Sequence, residues 1–167
     1  LPQSVMAEVV QALSAEERER LRAALSFPEG TVGALMDFDH VAVREDVTLE
    51  AVTRYLRRLD ELPDHTDQLF VVDRDQVLKG TLPLARLIVS DLEREVRQVV
   101  VAERVKLYAH DRAEDAASAF ERYDLVSAPV VNERGRLLGR VTVNTVLDYV
   151  REKTESELLG IGGLREV

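Results

Sequence analysis

Glu114 and Glu121 stand two helical turns apart in the stretch Arg112 to Tyr123, and Asp124 follows directly after it. A helix there puts both glutamates on one face with Asp124 at its end, so the three carboxylates can converge. Asp148 lies on a later helical stretch that a folded chain can lay beside the first. Four carboxylates around one point suit a hard divalent cation, which takes oxygen ligands. Surface carboxylates of this kind hold such a cation weakly and leave part of its water shell in place. The same residues also suit structural duty, Glu114 as a capping glutamate at the third position of its helix and the others as solvated charge. His40, His65 and His110 each stand far in sequence from a serine or glutamate partner and read as solvated or cap-region histidines. No His-x-x-x-His pair is present, and without cysteine there is neither a disulfide framework nor a thiolate metal site. Nothing in the chain resembles the machinery of an enzyme.

The segment that must position Asp148 is the clearest in the chain. Ser127 to Val150 reads as an apolar β-run, a turn at Asn132-Glu133-Arg134-Gly135, a return run from Leu137 to Val143, and a helix capped by Thr142 or Asn144 that carries Val146, Leu147 and Val150 at helical spacing. Gly139 interrupts the return run, where a missing side chain marks a bulge or the close approach of another backbone. The same unit occurs 59 residues earlier, with Val72 on Val131, Leu78 on Leu137, Gly80 on Gly139 and Leu82 on Val141. An amphipathic helix precedes each hairpin. One opens at Asp46-Val47-Thr48 and turns Leu49, Val52, Leu56 and Leu59 inward; the other opens at Asp111-Arg112 and carries the acids. Between helix and hairpin, the loop Pro63 to Gln68 is present only in the first copy. A unit of this size cannot bury its apolar face alone, so the two copies are expected to pack as one pseudo-symmetric, mixed α/β body with one hairpin per unit.

Over 167 residues the acids outnumber the bases by 31 to 22, for a net charge of −9. That balance opposes nucleic-acid phosphate and anionic membrane surfaces and favours divalent cations. No apolar run approaches the ~18 residues of a transmembrane helix, and no signal peptide is visible. Ahead of the repeat, Val5, Val9, Val10 and Leu13 recur at helical spacing, Ser14-Ala15-Glu16-Glu17 forms a capping box for a second helix, and Pro28 ends that helix. Thr31 to Met36 reads as a short helical turn, and Asp91 to Val96 as the link between the copies. Because the chain opens on Leu1 and closes near Gly160-Ile161-Gly162-Gly163, it reads as a piece of a longer protein.

A strand, an amphipathic helix, a hairpin of the form Pro-Val-Val-Asn/Asp-x-x-Gly-x-Leu-x-Gly-x-Val and a closing helix, given twice, resembles a tandem pair of CBS domains, a Bateman module. The flanks Leu25-Ser26-Phe27-Pro28-Glu29-Gly30-Thr31-Val32-Gly33-Ala34-Leu35-Met36 and Asp148-Tyr149-Val150-Arg151-Glu152-Lys153-Thr154-Glu155-Ser156-Glu157 resemble the entry to and exit from that pair in MgtE-type magnesium transporters. The resemblance implies that residues 1–33 end a helical N-terminal domain, 34–98 and 99–152 are the CBS domains, and 153–167 lead toward a membrane part. It implies a homodimer on the cytoplasmic side of the cell membrane that senses intracellular Mg²⁺ and gates a pore. The helices bearing Leu84, Leu87, Ile88 and Val146, Leu147, Val150 would supply its apolar contact. Cation ligands are implied at Glu114, Asp124 and Asp148, to which helix spacing alone adds Glu121 as a helper, while Thr145 and Arg86 stand where the family favours acids. CBS modules that bind adenosine nucleotides present Ser/Thr-x-x-Asp at the hairpin-to-helix junction. Here Pro83-Leu84-Ala85-Arg86 and Thr142-Val143-Asn144-Thr145 lack the aspartate, and Gln68 and Leu125 replace the stacking rings. The resemblance therefore argues against a nucleotide, and an adenine-nucleotide-sensing module attached to an enzyme or channel is the second reading.

Overall fold

In the computed structural model the backbone is described for residues 10–11 and 26–166, and the side chains for residues 26–160. Short β-branched runs become strands and the amphipathic stretches become the helices between them. After β1 (Val10–Gln11) and α1 (Val32–Leu35), the first copy runs β2 (Ala42–Arg44), α2 (Leu49–Arg58), β3 (Gln68–Val72), β4 (Leu78–Pro83) and α3 (Leu84–Val89). A short α4 (Val96–Val99) leads to the second copy: β5 (Leu107–Tyr108), α5 (Ala113–Tyr123), β6 (Ser127–Val131), β7 (Leu137–Thr142) and α6 (Val143–Glu166). The strand orders are β1-β2-β3-β4 and β5-β6-β7. In each copy the first strand lies parallel to the next, which requires the crossover that α2 or α5 provides, and the hairpin adds its second strand antiparallel.

Each sheet buries one core. Leu49 and Val52 of α2 pack with Leu69, Val71, Leu82, Val96 and Val99, while Ala116 and Phe120 of α5 pack with Val130, Val141 and Val146. The second core also contains Val32, Met36 and Phe38, which precede the first copy. Two reciprocal hydrogen bonds of 2.9 Å join Asp37 to Arg140 of β7, and the segment ahead of the second copy answers them, with Thr81 and Val101 exchanging bonds of 2.8 and 2.9 Å. The copies thus trade their lead-in segments. Gly139 admits this contact, since a Cβ there would lie 2.6 Å from the Asp37 carbonyl oxygen. At Gly80 a Cβ would stand 2.4 Å from that of Val101. Both hairpins slip register at this point, between Val71 and Val72 and between Val130 and Val131. The hairpin turns also meet, through Leu78 N–H to Gly135 O at 2.9 Å and Leu137 N–H to Gln76 O at 3.0 Å.

Four local expectations change. Val10 and Gln11, expected in a helix, pair antiparallel with Val43 and Ala42, which occupies an edge of β2 that would otherwise present unpaired backbone groups. The rest of that stretch and the helix expected from about 15 to 25 lie outside the described residues. The expected link Asp91 to Val96 runs into α4, where the Gln98 side chain accepts the Glu95 amide at 2.9 Å. His40 is not simply solvated: it is half-buried against the Phe70 ring, with its Nδ1 enclosed and lacking a hydrogen-bond partner. Finally, Leu87 and Val146 belong to their own cores, whereas Ile88 (81% exposed), Val89 (82%), Leu147 (57%) and Val150 (44%) face outward.

Candidate functional site

The acids assigned to a cation sit on α5 and α6, which pack against each other through the second core. α5 begins after Arg112, so Glu114 is its second residue rather than a capping third, in the first turn where the helix end favours negative charge. Its carboxylate is already engaged. Oε1 accepts from the Tyr149 hydroxyl at 2.7 Å and from Lys153 Nζ at 2.8 Å, both on α6, and Arg112 Nε lies 3.6 Å from Oε2. The Lys153 hydrogen bond, then that of Tyr149, holds the Glu114 carboxyl well below the usual range, at about 2. The same contact raises the Lys153 ammonium and the Tyr149 phenol above their ordinary values.

The other three acids are exposed. Asp124 ends α5 in the left-handed conformation, φ 52°, with its amide donating to Phe120 O. It lines a cavity of about 380 Å³ between the copies, together with Asp67, Gln68, Glu103, Tyr123 and Leu125. Asp148 borders a different cavity, of about 780 Å³, with Glu29, Glu152, Lys153 and Glu157, and pairs with Arg151 at 3.3 Å. Glu121 lines neither. Among the described residues no group of three or more His, Cys, Asp or Glu side chains is placed to hold a metal ion. The four acids therefore do not make one cage within a single chain; what their donor set fits is a hydrated ion bridged by one or two carboxylates. Sequence reasoning missed Tyr149 and Lys153, whose i,i+4 spacing was the one available signal that they share a face.

The two positions set aside for stacking rings, Gln68 and Leu125, do share the cavity between the copies, and Tyr123 adds a ring at its wall. Gln68 Nε2 is turned to Ser127 O and Oγ at 3.3 Å, and Ser127 Oγ donates to Asp67 at 2.7 Å. Arg86 is tied to the Val99 carbonyl at 2.8 Å.

A family model described as the CBS domain matches residues 95–152. The magnesium transporter MgtE of Thermus thermophilus is 34% identical over 152 residues, covering 91% of this chain and 34% of that protein. The chain is a tandem CBS-domain module of the MgtE family. The cytosolic domain of the Mg²⁺ channel MgtE in complex with ATP is 38% identical to this MgtE module with a TM-score of 0.70, over 78% of this chain and 52% of that one. The CBS pair domain of a putative Mg²⁺ transporter from Shewanella oneidensis gives 26% and 0.72 over 92% and 89%. The MgtE module spans about a third of the length of the curated relatives it matches. Among its described residues no helix is long and apolar enough to cross a membrane.

Proposed function

We propose that this MgtE module is the non-catalytic regulatory part of a magnesium transporter, sensing Mg²⁺ on the cytoplasmic side of the membrane. It passes the signal, as a homodimer, to the transmembrane domain of the same full-length protein. The observation that carries this reading is the match to the magnesium transporter MgtE along 91% of the chain. In this reading Glu114, Glu121, Asp124 and Asp148 offer carboxylates to hydrated magnesium, the remaining oxygens coming from water, a second copy or other parts of a longer chain. Uncompensated carboxylates repel and hold a loose arrangement; a cation among them favours a compact one that biases the pore closed. The outward Ile88, Val89, Leu147 and Val150 support the dimer, because such a surface is seldom left to water. The test compares the parent with Asp124→Asn/Asp148→Asn in about 10–20 mM Mg²⁺, near saturation for a millimolar site. The parent is expected to gain melting temperature and protease resistance over an ionic-strength-matched sodium control, and the double variant is not. Equal gains would remove these residues from the site.

A second reading, adenine-nucleotide sensing, draws support from the ATP complex of the 38%-identical MgtE cytosolic domain. Against it stand Arg86 and Thr145 where a ribose-binding aspartate belongs, and Gln68 and Leu125 in place of rings. Calorimetric titration with ATP is expected to give no saturable heat; a saturable isotherm would establish the nucleotide.

A further inference from the structure

We infer that Lys153 is a tethered cation that takes the place of a divalent ion at Glu114, fastening α6 to α5 without metal. Tyr149 and Lys153 stand one helical turn apart on α6, so one face of that helix delivers a hydroxyl and an ammonium to a single carboxylate oxygen, at 2.7 and 2.8 Å. With Arg112 approaching the other oxygen at 3.6 Å, the Glu114 carboxylate meets two positive groups and one neutral donor, all from its own chain. An ammonium carries three donors and no acceptor, so at this carboxylate it acts as a small cation does. Its covalent attachment gives it a high effective concentration. Magnesium, by contrast, must come from solution and sheds water reluctantly, so coordination of Glu114 by a free ion has first to displace Lys153. The ammonium also stands in the wall of the acid-lined cavity that Glu29, Asp148, Glu152 and Glu157 border, where its charge offsets the attraction of those acids for a second cation. Asp148 has a neighbour of the same kind in Arg151. The α5–α6 contact at Glu114 is thus made at low magnesium as well as high, and the magnesium response is left to Asp124, Asp148 and Glu121.

The bearing of Lys153 on magnesium rests on the function proposed above, whereas the fastening itself does not, and the experiment separates them. Amide hydrogen exchange across residues 143–157 is followed for the parent, Lys153→Met and Lys153→Arg, in EDTA and in about 20 mM Mg²⁺. The parent is expected to exchange at one rate in both. Lys153→Met should exchange several-fold faster in EDTA, and Lys153→Arg, which keeps the cation, should return near the parental rate. Slowing of Lys153→Met by Mg²⁺ shows the freed Glu114 accepting the ion that the lysine replaced. Should Lys153→Met stay fast in Mg²⁺, the fastening stands and the magnesium role of Glu114 falls. Parental exchange of Lys153→Met in EDTA would overturn the inference outright.

Discussion

Arg140 is the side chain on which the two copies meet. It is 5% exposed; its Nε donates to Asp37 Oδ1 at 2.9 Å, while Nη1 and Nη2 donate to the carbonyls of His65 and Asp64 at 3.2 and 2.8 Å. The loop found only in the first copy is therefore held by the second. Arg140→Met keeps the aliphatic bulk but strands Asp37 and two carbonyls, and is expected to lower unfolding free energy by about 3 kcal/mol in urea titrations. His40 sits beside this pair, and burial, opposed by Asp37 and reinforced by Arg140, lowers its pKa from 6.5 to about 4. The unfolded imidazole takes up its proton near 6.5 and the folded one only near 4, so between those values the unfolded state binds more protons. Stability contributed by neutral His40 is complete above pH 6.5 and falls as the pH drops toward 4, by on the order of 3 kcal/mol. Urea titrations from pH 7 to 4 should show a shallower acid limb in His40→Leu than in the parent. Neither role was legible in the sequence, because each depends on residues brought together from distant parts of the chain, Asp37 and Arg140 lying 103 apart.

At the scale of elements the local features were legible and their pairings across the chain were not. The hairpins, the helices that follow them and the bulge at Gly139 depend on neighbours within a few residues, and the repeat made each visible twice. Which copy a lead-in segment joins depends on shape far away: Met36 and Phe38 join the second core because Gly139 leaves room for the Asp37 backbone. Gly139→Ala should therefore cost about 1–3 kcal/mol, since the clash is with main chain that cannot rotate aside. The loss should be accompanied by faster amide exchange at Asp37 and Arg140, which a purely local effect in β7 would not extend to Asp37. The candidate site divides in the same way. Glu114, Glu121 and Asp124 were placed on α5 and at its end by spacing alone, but Lys153 is 39 residues from Glu114 and reads as an ordinary solvated charge until α6 is laid against α5.

At the scale of the whole molecule, a chain of net charge −9 carries an outward apolar set on α3 and α6. Such a set, on a body whose own cores are already closed, is expected to meet its copy, so light scattering should report a dimer at tens of micromolar protein. Introducing charge with Ile88→Lys/Leu147→Lys should yield a folded monomer. In that dimer, repulsion among the acids is what magnesium would relieve, and the metal-independent contact of Lys153 with Glu114 predicts a small but specific effect. Small-angle X-ray scattering of the dimer tests the proposal most directly, comparing about 20 mM Mg²⁺ with sodium chloride of equal ionic strength, which screens charge without bridging it. The radius of gyration is expected to be smaller in magnesium than in matched sodium, and the difference to be reversed by EDTA. Identical scattering in the two salts would contradict it.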